Sequence, residues 1–368
     1  MQISIRAIDT LFFRDGRPFS MGEESWARGL FPPLPSVFSG LLRTAYMCSQ
    51  SLPVQDVLEK TSGLTINATL LSDGEQLLLP IPKGLLPYKV GEEVELQALQ
   101  LLPHDGLSSY SLPLLLQSPR DGKVAAETFS YLEEKAFQNY LAGKEEVKYS
   151  NEAAGLLSDE PKVGIGRDKT THIVRESMLY RVNMQRMESP DGQKKLFFIV
   201  SFDGLNIPPS GIIRMGAEGK TVQYHSLAPP FEIPLPEISR PLLKLYLATP
   251  ALFEEGWRPA WLPADGSWGT WKGRRVRLLA AAVDKPLAAG GFDLETGTPK
   301  PMYKAVAAGS VYYLQTETTE AAQSIAKELH SACISELGKD TEGFGLCYAG
   351  AIGKHQLSET AFEELSKK

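Results

Sequence analysis

The spacing of apolar residues at the start of the chain predicts a strand followed by a helix. Apolar and polar residues alternate over residues 2–8, a period of two that is typical of a half-buried strand. Over residues 37–47 the apolar positions recur with a helical period, and Ser36 before them is a residue type favoured at the N-cap. Phe31–Pro35 contains three prolines, so we expect a stiff, extended connection there.

Two further apolar runs, at residues 64–71 and 76–81, predict strands that form a hairpin. Residues 72–75 between them include Asp-Gly, a strong signal for a tight turn. The order strand, helix, strand, strand corresponds to the first part of a ferredoxin-like βαββαβ unit. We therefore expect an α+β domain at the start of the chain.

Residues 82–159 interrupt this pattern and are interpreted as an insertion. Prolines break the apolar runs into short pieces, and the clearest element is a helix predicted over residues 125–141. Several glutamates make the segment acidic, which is usual for a solvated face. The alternative is a surface that is kept away from RNA.

Positive charge is concentrated in residues 162–186. This stretch has six Lys or Arg residues against two acids, and Gly164 and Gly166 make its first part a permissive loop. Alternation over residues 178–187 predicts a strand that pairs with residues 194–202. A basic loop leading into a hairpin is suited to contact a phosphate backbone, and a solvated loop with incidental arginines is an equally good interpretation.

The C-terminal third predicts a second α+β unit after a proline-rich connector. Its predicted strands lie at residues 242–248, 274–282, 303–307 and 310–315, the last two forming a pair. A helix is predicted over residues 320–337, with Thr319 as its N-cap and Gly338 after its end. Four of the five tryptophans, within residues 257–271, are assigned to loops, where a role in a core or an interface is favoured over base stacking.

Composition excludes several classes of protein. The 368 residues are 43% hydrophobic and 22% charged, an ordinary balance for a globular chain long enough for two domains. No run approaches the ~18 apolar residues of a membrane span, and the N-terminus has a strand pattern rather than that of a signal peptide. Three scattered cysteines fit neither a disulfide framework nor a zinc site, so we expect a cytoplasmic protein. The net charge of −6 argues mildly against nucleic-acid binding but allows a local basic groove.

The search for catalytic motifs finds little. The sequence contains no G-x-S-x-G, Walker A, H-E-x-x-H or C-x-x-C motif, and its five histidines are isolated from one another. His172, in the basic stretch, is the most interesting candidate for a general base near neutral pH. One histidine is insufficient evidence for catalysis. We therefore expect no catalytic residue, no metal site and no cofactor.

Several segments, in order, resemble the third subunit of the Cmr complex, a family of RAMP proteins from type III-B CRISPR systems. FFRDGRPFS, LFPPLPS and SGLLRTA carry the resemblance, followed by KVGIGRDKTT, SMLYR and RMGAEGK. The match is strongest over residues 11–44 and 162–220 and departs from the family in the insertion. It implies an α+β fold of two ferredoxin-like (RRM-like) βαββαβ domains, at residues 1–235 and 236–368, with the large insertion in the first.

The resemblance also implies a function. Such a protein is a non-catalytic RNA-binding subunit of a type III-B effector complex in antiviral defence. It grips the repeat-derived 5′ tag of the CRISPR RNA, helps anchor the large Cas-ten-like subunit and contacts the first backbone RAMP subunit, with no membrane partner. The expected RNA-binding residues are Arg14, Arg17, Ser36, Arg43, Lys162, Arg167, Lys169, His172, Arg175 and Arg214. We expect them to converge on one groove, with residues 11–44 as one wall.

Two other functions remain open at this point. A metal-independent RAMP endoribonuclease that processes CRISPR RNA would use His172 as its general base. A protein-only assembly module would use the tryptophan and proline loops to bind other subunits. A cleavage assay on repeat RNA separates the first of these from an RNA-binding scaffold.

Overall fold

The computed structural model shows a mixed α/β protein built mostly of strands, which agrees with the α+β class at this coarse level. It describes residues 1–14, 26–27, 29–90, 93–103, 110–120, 131–149, 155–167, 170–171, 173–293, 298–358, 361–363 and 365. Two compact units divide the chain. The first unit comprises residues 1–75, 155–230 and 288–304, and the second comprises residues 76–154, 231–287 and 305–368.

The helices are short and few in the described part of the chain. They are α1 (Ser36–Gln50), α2 (Val57–Lys60), α3 (Glu134–Leu141) and α4 (Thr319–Leu329), with a 3-10 turn at Val54–Asp56. The strands, in chain order, are β1 (Gln2–Ala7), β2 (Trp26–Ala27), β3 (Thr65–Ser72), β4 (Leu77–Pro80), β5 (Leu85–Val90), β6 (Glu93–Ala98), β7 (Gln100–Pro103), β8 (Leu114–Gln117), β9 (Tyr131–Glu133), β10 (Glu146–Lys148), β11 (Ser158–Arg167), β12 (Val174–Arg186), β13 (Phe197–Asp203), β14 (Ser210–Arg214), β15 (Thr221–Ser226), β16 (Leu242–Leu247), β17 (Trp268–Trp271), β18 (Arg274–Ala282), β19 (Leu287–Ala289), β20 (Phe292–Asp293), β21 (Thr298–Pro299), β22 (Tyr303–Ala305), β23 (Val311–Thr316), β24 (Ala332–Cys333) and β25 (Leu346–Gly350).

The first unit is organised around a helix packed on an antiparallel sheet. Strands of this unit lie in the order β14-β15-β1-β13-β3, each antiparallel to its neighbours. Helix α1 packs against β3 and β14 and buries Phe38, Leu41, Leu42 and Ala45. The ring of Phe38 lies 5.3 Å from that of Phe198 on β13. The apolar face predicted from the helical period is therefore the face that closes this core.

The start of α1 differs from the prediction in one respect. Pro35 holds the N-cap position and makes no side-chain capping bond, and Ser36 is the first helical residue. The proline ring fixes φ in the helical range, at −51°, so the helix begins without a serine cap. Ser39, a polar residue between the predicted apolar positions, is buried, whereas the apolar Val37 is only half-buried.

The first part of the basic stretch, predicted as a loop, folds into the strand β11, and the strand predicted over residues 178–187 is found in β12. Strands β11 and β12 pair in an antiparallel register that runs from Ser158↔Arg186 to Arg167↔Val174, and we refer to residues 158–186 as the ribbon. The pairing predicted with residues 194–202 begins as expected, since the Leu196 amide donates to the Met187 carbonyl at 2.9 Å and Glu188 forms a β-bridge with Lys195. From residue 197 onward the predicted partner instead forms β13 between β1 and β3. That part of the prediction is wrong because β13 is an apolar run buried on both sides, which suits the middle of a sheet.

The second unit contains a sheet in the order β17-β18-β23-β16-β25-β24. Helix α4 packs against β16, β23 and β25, and one buried cluster includes Leu245, Leu314 and Ile325. Leu245 lies on β16 and Leu314 on β23, so the cluster joins the helix to the centre of the sheet. This is the apolar core of the unit.

Both ends of α4 were misplaced in the prediction. The hydroxyl of Thr318, not that of Thr319, caps the helix and accepts a hydrogen bond from the Ala321 amide at 3.2 Å. The helix ends at Leu329 rather than at residue 337. Ser331 adopts a positive φ of 61° immediately afterwards, and the chain rejoins the sheet as β24. Pairing of β24 with β25 replaces the two further helical turns that the apolar spacing suggested.

Helix α3 covers the opposite face of this sheet. Its Phe137 ring lies 4.8 Å from that of Tyr246 and 5.7 Å from that of Tyr348. Lys244, on the same strand as Tyr246, is almost fully buried: its ammonium lies 3.6 Å from the Tyr140 ring centre and donates to the Tyr140 carbonyl at 2.7 Å. Burial in this aromatic layer lowers the pKa of Lys244 to about 7.

Three smaller predictions also differ from the structure. The helix predicted over residues 125–141 is α3 from residue 134 onward, preceded by β9, while residues 121–130 lie outside the described part. The predicted pairing between residues 303–307 and 310–315 is wrong, because β22 pairs with β19 and β23 lies in the large sheet. Trp268 and Trp271 are the two ends of β17 rather than loop residues.

The compact units are not two continuous halves of the chain. Near the predicted domain boundary, between residues 235 and 236, the chain passes from the first unit to the second between residues 230 and 231. Residues 82–159 were interpreted from the sequence as an insertion in the first domain, but the part up to residue 154 groups with the second unit. There α3 packs against β25, which ties this segment to the C-terminal unit.

Buried Lys244 generates a prediction about pH. Its folded pKa, about 7, lies below the ~10.4 of an unfolded lysine, so the unfolded chain binds the extra proton between these values. Unfolding free energy should therefore rise with pH across this window, by at most ~1.4 kcal/mol per pH unit from this group. Lys244→Met should raise stability at pH 7 by roughly 1–4 kcal/mol and flatten the rise, as measured by urea unfolding at pH 7, 8 and 9.

A matched variant controls for the loss of a lysine in itself. Lys285 is exposed, and Lys285→Met should leave both the stability at pH 7 and its pH dependence close to those of the parent. An unchanged slope in Lys244→Met would show that burial of this amine does not set the pH dependence.

Candidate nucleic-acid interface

The opening segment, residues 11–14, is bound to the ribbon through its backbone. The Leu11 amide donates to the Gln185 carbonyl at 2.9 Å, and the Gln185 amide donates back to the Leu11 carbonyl at 2.7 Å. The returning chain is tied to the same segment, because the Leu30 amide donates to the Phe13 carbonyl at 2.8 Å. These paired bonds hold the opening segment beside β12 as a short added strand.

The turn at residues 214–220 also reaches the opening segment. The Ala217 amide donates to the Phe12 carbonyl at 2.9 Å, and the turn is closed by a bond from the Met215 amide to the Lys220 carbonyl at 2.9 Å. Gly216 has a φ of +80°, and a Cβ there would lie 2.8 Å from the Phe12 carbonyl oxygen. Glycine is therefore required at this position both by the backbone angle and by the close approach.

A small apolar cluster fills the space between these three segments. Phe12, Val182 and Met184 are buried together, and Ala217 packs against them. Val182 and Met184 are alternate residues of β12, so they point to the same face of the ribbon. Three stretches that the sequence marked separately, namely residues 11–14, the ribbon and the turn, thus meet at one place in the first unit.

Ion pairs tie the cations of this region to acids. Lys162 of β11 pairs with Glu218 of the turn, and Lys220 pairs with Asp9. The hydrogen bond from Lys220 lowers the pKa of the Asp9 carboxyl, so that carboxyl stays ionised. Each pair leaves one partner well exposed, since half of the Lys162 side chain and 53% of the Asp9 side chain are accessible to solvent. Exposed pairs of this kind are weak and exchange readily for other ionic partners.

A further pair of acids binds the far end of the ribbon. Arg186 donates to Glu160 at 2.7 Å and to Glu188 at 3.0 Å, and the hydrogen bond to Glu160 raises the pKa of the guanidinium. Glu160 comes from β11 and Arg186 from β12, so the pair crosses the ribbon. This end of the ribbon is therefore electrostatically balanced.

The structure brings some of the expected residues together. Arg14 is exposed and lies at the end of the opening segment, where it forms a β-bridge with Gly29. Lys162 is exposed on the ribbon, and Arg214 is exposed at the end of β14, where the turn begins. All three belong to segments that meet around Phe12.

Ser36 and Arg43 lie on a different element, helix α1. Both side chains are half-buried, and α1 packs on β3 and β14. Within the described part of the chain, the Arg43 Nε atom is buried and has no hydrogen-bond partner. The contacts around Phe12 do not involve these two residues.

Other expected residues are described in part or not at all. Arg167 and Arg175 are placed by backbone only, in β11 and β12 at the end of the ribbon away from Arg186. Arg17, Lys169 and His172 lie outside the described residues. Their membership of an RNA-binding groove stays a prediction.

Sequence reasoning missed the acids that organise the region. Glu218 lies within the motif RMGAEGK and Asp9 lies in none of the motifs, although each pairs with a cation of the site. Arg181 is a further exposed cation on the ribbon, opposite Val163 in the register. Its alternation with the buried Val182 was the available signal that it faces outward.

No group of three or more His, Cys, Asp and Glu side chains that could hold a metal ion occurs among the described residues. Within the same residues, no helix is both long enough and apolar enough to cross a membrane.

Comparison with known proteins identifies the class and then the family. A family model described as "CRISPR-associated protein (Cas_Cmr3)" matches residues 3–352. The match covers nearly the whole chain and defines a CRISPR-associated protein. Within that class, the chain belongs to the Cas_Cmr3 family. The resemblance to a Cmr subunit that the motifs suggested is therefore confirmed.

Solved structures share the fold at low sequence identity. A chain from the "Cryo-EM structure of the Type III-B Cmr-beta bound to cognate target RNA" has 17% identity and a TM-score of 0.51, with 89% of each chain covered. A chain from the same assembly bound to target RNA and AMPPnP has 17% identity and a TM-score of 0.50 at the same coverage. No curated protein sequence matches the chain.

The close approach at Gly216 can be tested with a matched pair of substitutions. Gly216→Ala imposes both a left-handed backbone, which costs about 1–2 kcal/mol, and a clash with the Phe12 carbonyl. Gly219→Ala has a similar φ of +68° but open space around its Cβ. We expect Gly216→Ala to lower the free energy of unfolding by at least about 1 kcal/mol more than Gly219→Ala, measured by urea unfolding. Equal losses would mean that contact with Phe12 does not hold the turn.

Proposed function

We propose that this protein is a non-catalytic RNA-binding subunit of a type III-B CRISPR effector complex. It grips the repeat-derived 5′ tag of the CRISPR RNA and helps to anchor the large Cas-ten-like subunit, with the first backbone RAMP subunit as a further neighbour. Family membership supports a place among CRISPR-associated proteins, and the similar solved chains come from a type III-B Cmr assembly bound to target RNA.

The observation that carries this proposal is the convergence around Phe12. Three exposed cations, Arg14, Lys162 and Arg214, lie on separate segments that meet at one apolar cluster. Single-stranded RNA is commonly held by cations and loop amides along a backbone track. A chain with a net charge of −6 binds RNA only where such cations are locally concentrated, because screening limits each charge to ~10 Å.

Strand order supports two ferredoxin-like domains as the scaffold. In a βαββαβ unit of this type, the first and third strands are central, the fourth lies beside the first and the second lies beside the third. The first unit has this order in β15-β1-β13-β3, with α1 after the first strand and β14 in place of the second helix. The second unit has it in β25-β16-β23-β18, with α4 after the third strand.

Each unit therefore retains a different one of the two helices. In the first unit the helix between the first and second strands is α1, and in the second unit the helix between the third and fourth strands is α4. Between β16 and β18 the chain forms turns and the edge strand β17. This asymmetry explains why the helical period alone did not reveal two equivalent domains.

The RNA interface can be tested through salt dependence. Lys162→Gln and Arg214→Gln should each weaken binding of a single-stranded RNA that carries the 5′ tag. Each phosphate contact removed should reduce the magnitude of the slope of log K against log salt by ~0.7. Filter binding or fluorescence anisotropy at several salt concentrations measures both quantities. Arg120→Gln, a 44% exposed arginine in the second unit, is the matched control and should change neither.

Unchanged affinity and slope in both variants would overturn the proposal. If the variants still assemble with the other subunits and the complex protects RNA to the same extent as with the parent protein, the protein-only assembly module is favoured. Product from repeat RNA with the parent protein, but not with His172→Ala, would instead favour the processing endoribonuclease.

The ion pair between Lys162 and Glu218 allows a substitution that should strengthen RNA binding instead of weakening it. Glu218 holds Lys162, and a carboxylate beside a phosphate track repels the RNA. Glu218→Gln should therefore strengthen RNA binding at low salt by a few-fold, and the gain should shrink as salt rises. Anisotropy titrations at two ionic strengths check this. Weaker binding by Glu218→Gln would mean that the carboxylate positions Lys162 for the RNA rather than competing with it.

A further inference from the structure

The sheet of the second unit has two faces, and both are largely covered. Alternate residues of β16 separate them: Leu245 points to the side of α4, and Lys244 to the side of α3. In an open sheet of this RRM-like kind, the face without helices is available to stack bases. Here α3 fills the middle of that face with Phe137 and Tyr140, so the centre of the sheet is closed to a ligand.

The outer part of the same face is differently built. Lys244 on β16 is opposite Tyr313 on β23. Gln315 follows Tyr313 by two residues, so it is on the same face of the sheet, and it is opposite Arg277 on β18. Arg277 in turn lies opposite Trp268 on the edge strand β17. The register therefore puts Trp268 and Arg277 on the face that α3 covers elsewhere.

Two guanidinium groups lie close to the ring of Trp268. Arg277 lies 4.9 Å and Arg275 5.0 Å from the ring centre, both within the range of cation–π attraction. Trp268 is half-buried, and Thr270 beside it is exposed. An aromatic ring framed by arginines and partly open to solvent is the arrangement on which a nucleobase stacks.

The two arginines have different roles. Arg277 is 94% buried, since only 6% of it is exposed, and it donates to the Gln315 amide oxygen at 2.8 Å and to the Leu365 carbonyl at 2.9 Å. These partners are neutral, so they position the guanidinium without cancelling its charge. Arg275 is exposed and pairs at 2.9 Å with Glu317, an exchangeable surface contact. One arginine is thus fixed, and the other is accessible to a phosphate.

We infer that Trp268, Arg275 and Arg277 form a second contact for single-stranded RNA, on the second unit. A base stacks against Trp268, and the adjoining phosphate replaces Glu317 at Arg275. Charge and composition favour RNA over a protein partner, because the exposed residues are a cation and a threonine around one ring, not an apolar patch. The inference rests on the proposed function, in that the protein meets RNA within its complex.

The test compares RNA binding by variants of the full chain. Trp268→Leu removes the stacking surface and should weaken binding of single-stranded RNA roughly tenfold, whereas Trp268→Phe should retain most of the affinity. Arg275→Gln should weaken binding and lower its salt dependence. Trp257→Leu, at another partly exposed tryptophan in the same unit, is the matched control and should have no effect.

Crosslinking separates this inference from the proposed function. RNA carrying photoreactive uridine should crosslink to residues 268–277 in the parent and lose that crosslink in Trp268→Leu. If Trp268→Leu and Arg275→Gln bind RNA like the parent while Arg214→Gln binds weakly, the second contact is wrong and the first stands. If RNA affinity is unchanged but another Cmr subunit dissociates, the surface is a protein interface and the inference is overturned. Arg275→Gln changes an exposed residue, so it tests the site even if Trp268→Leu unfolds.

Discussion

The interface of the first unit depends on the approach of two backbone segments to Phe12. The Phe12 carbonyl accepts a hydrogen bond from the Ala217 amide, and the Phe12 ring packs with Val182 and Met184. The preceding residue, Leu11, pairs through its backbone with Gln185. These contacts join residues more than 160 positions apart in the chain. Because the turn approaches so closely, only glycine fits at residue 216. The cations of the region take their places from this backbone arrangement rather than from one another.

Charge at this interface is balanced rather than simply positive. Glu218 and Asp9 pair with Lys162 and Lys220, so a phosphate that contacts these lysines has to displace the acids. Exposed pairs contribute little to stability, and their exchange for phosphates costs correspondingly little. A protein of net charge −6 can in this way keep local cations ordered in the absence of RNA.

One face of the sheet in the second unit is buried at its centre and partly open near its edge. Helix α4 and helix α3 cover its two faces, and the α3 side encloses Lys244 in a layer of tyrosines. Burying an amine is costly, and the hydrogen bond to the Tyr140 carbonyl and the contact with its ring offset part of that cost. Toward β17 the apolar layer gives way to arginines around Trp268. The change from a buried to a partly open surface occurs along a single face.

Local pattern determined the elements whose signals are short-range. Alternation placed β1, the helical period identified the buried face of α1, and ordered motifs pointed to the Cmr family. Strand β11 was missed because Gly164, Gly166 and the neighbouring Pro161 have the composition of a loop, although pairing with β12 makes them a strand. Helix α4 was predicted to be too long because the helical apolar spacing continues past Leu329, where the helix ends. The chain then pairs with β25 as the strand β24.

Tertiary structure decided which distant segments meet and which charges face each other. The sequence by itself determined strands with clear alternation such as β1, the buried face of the first helix and the family. It did not determine that Lys162 meets Glu218, that residues 76–154 group with the C-terminal unit, or that Trp268 lies within cation–π range of two arginines. The physical reason is that periodicity reports how one segment divides between core and solvent. Partner choice depends on the summed packing and hydrogen bonding of segments far apart in the chain.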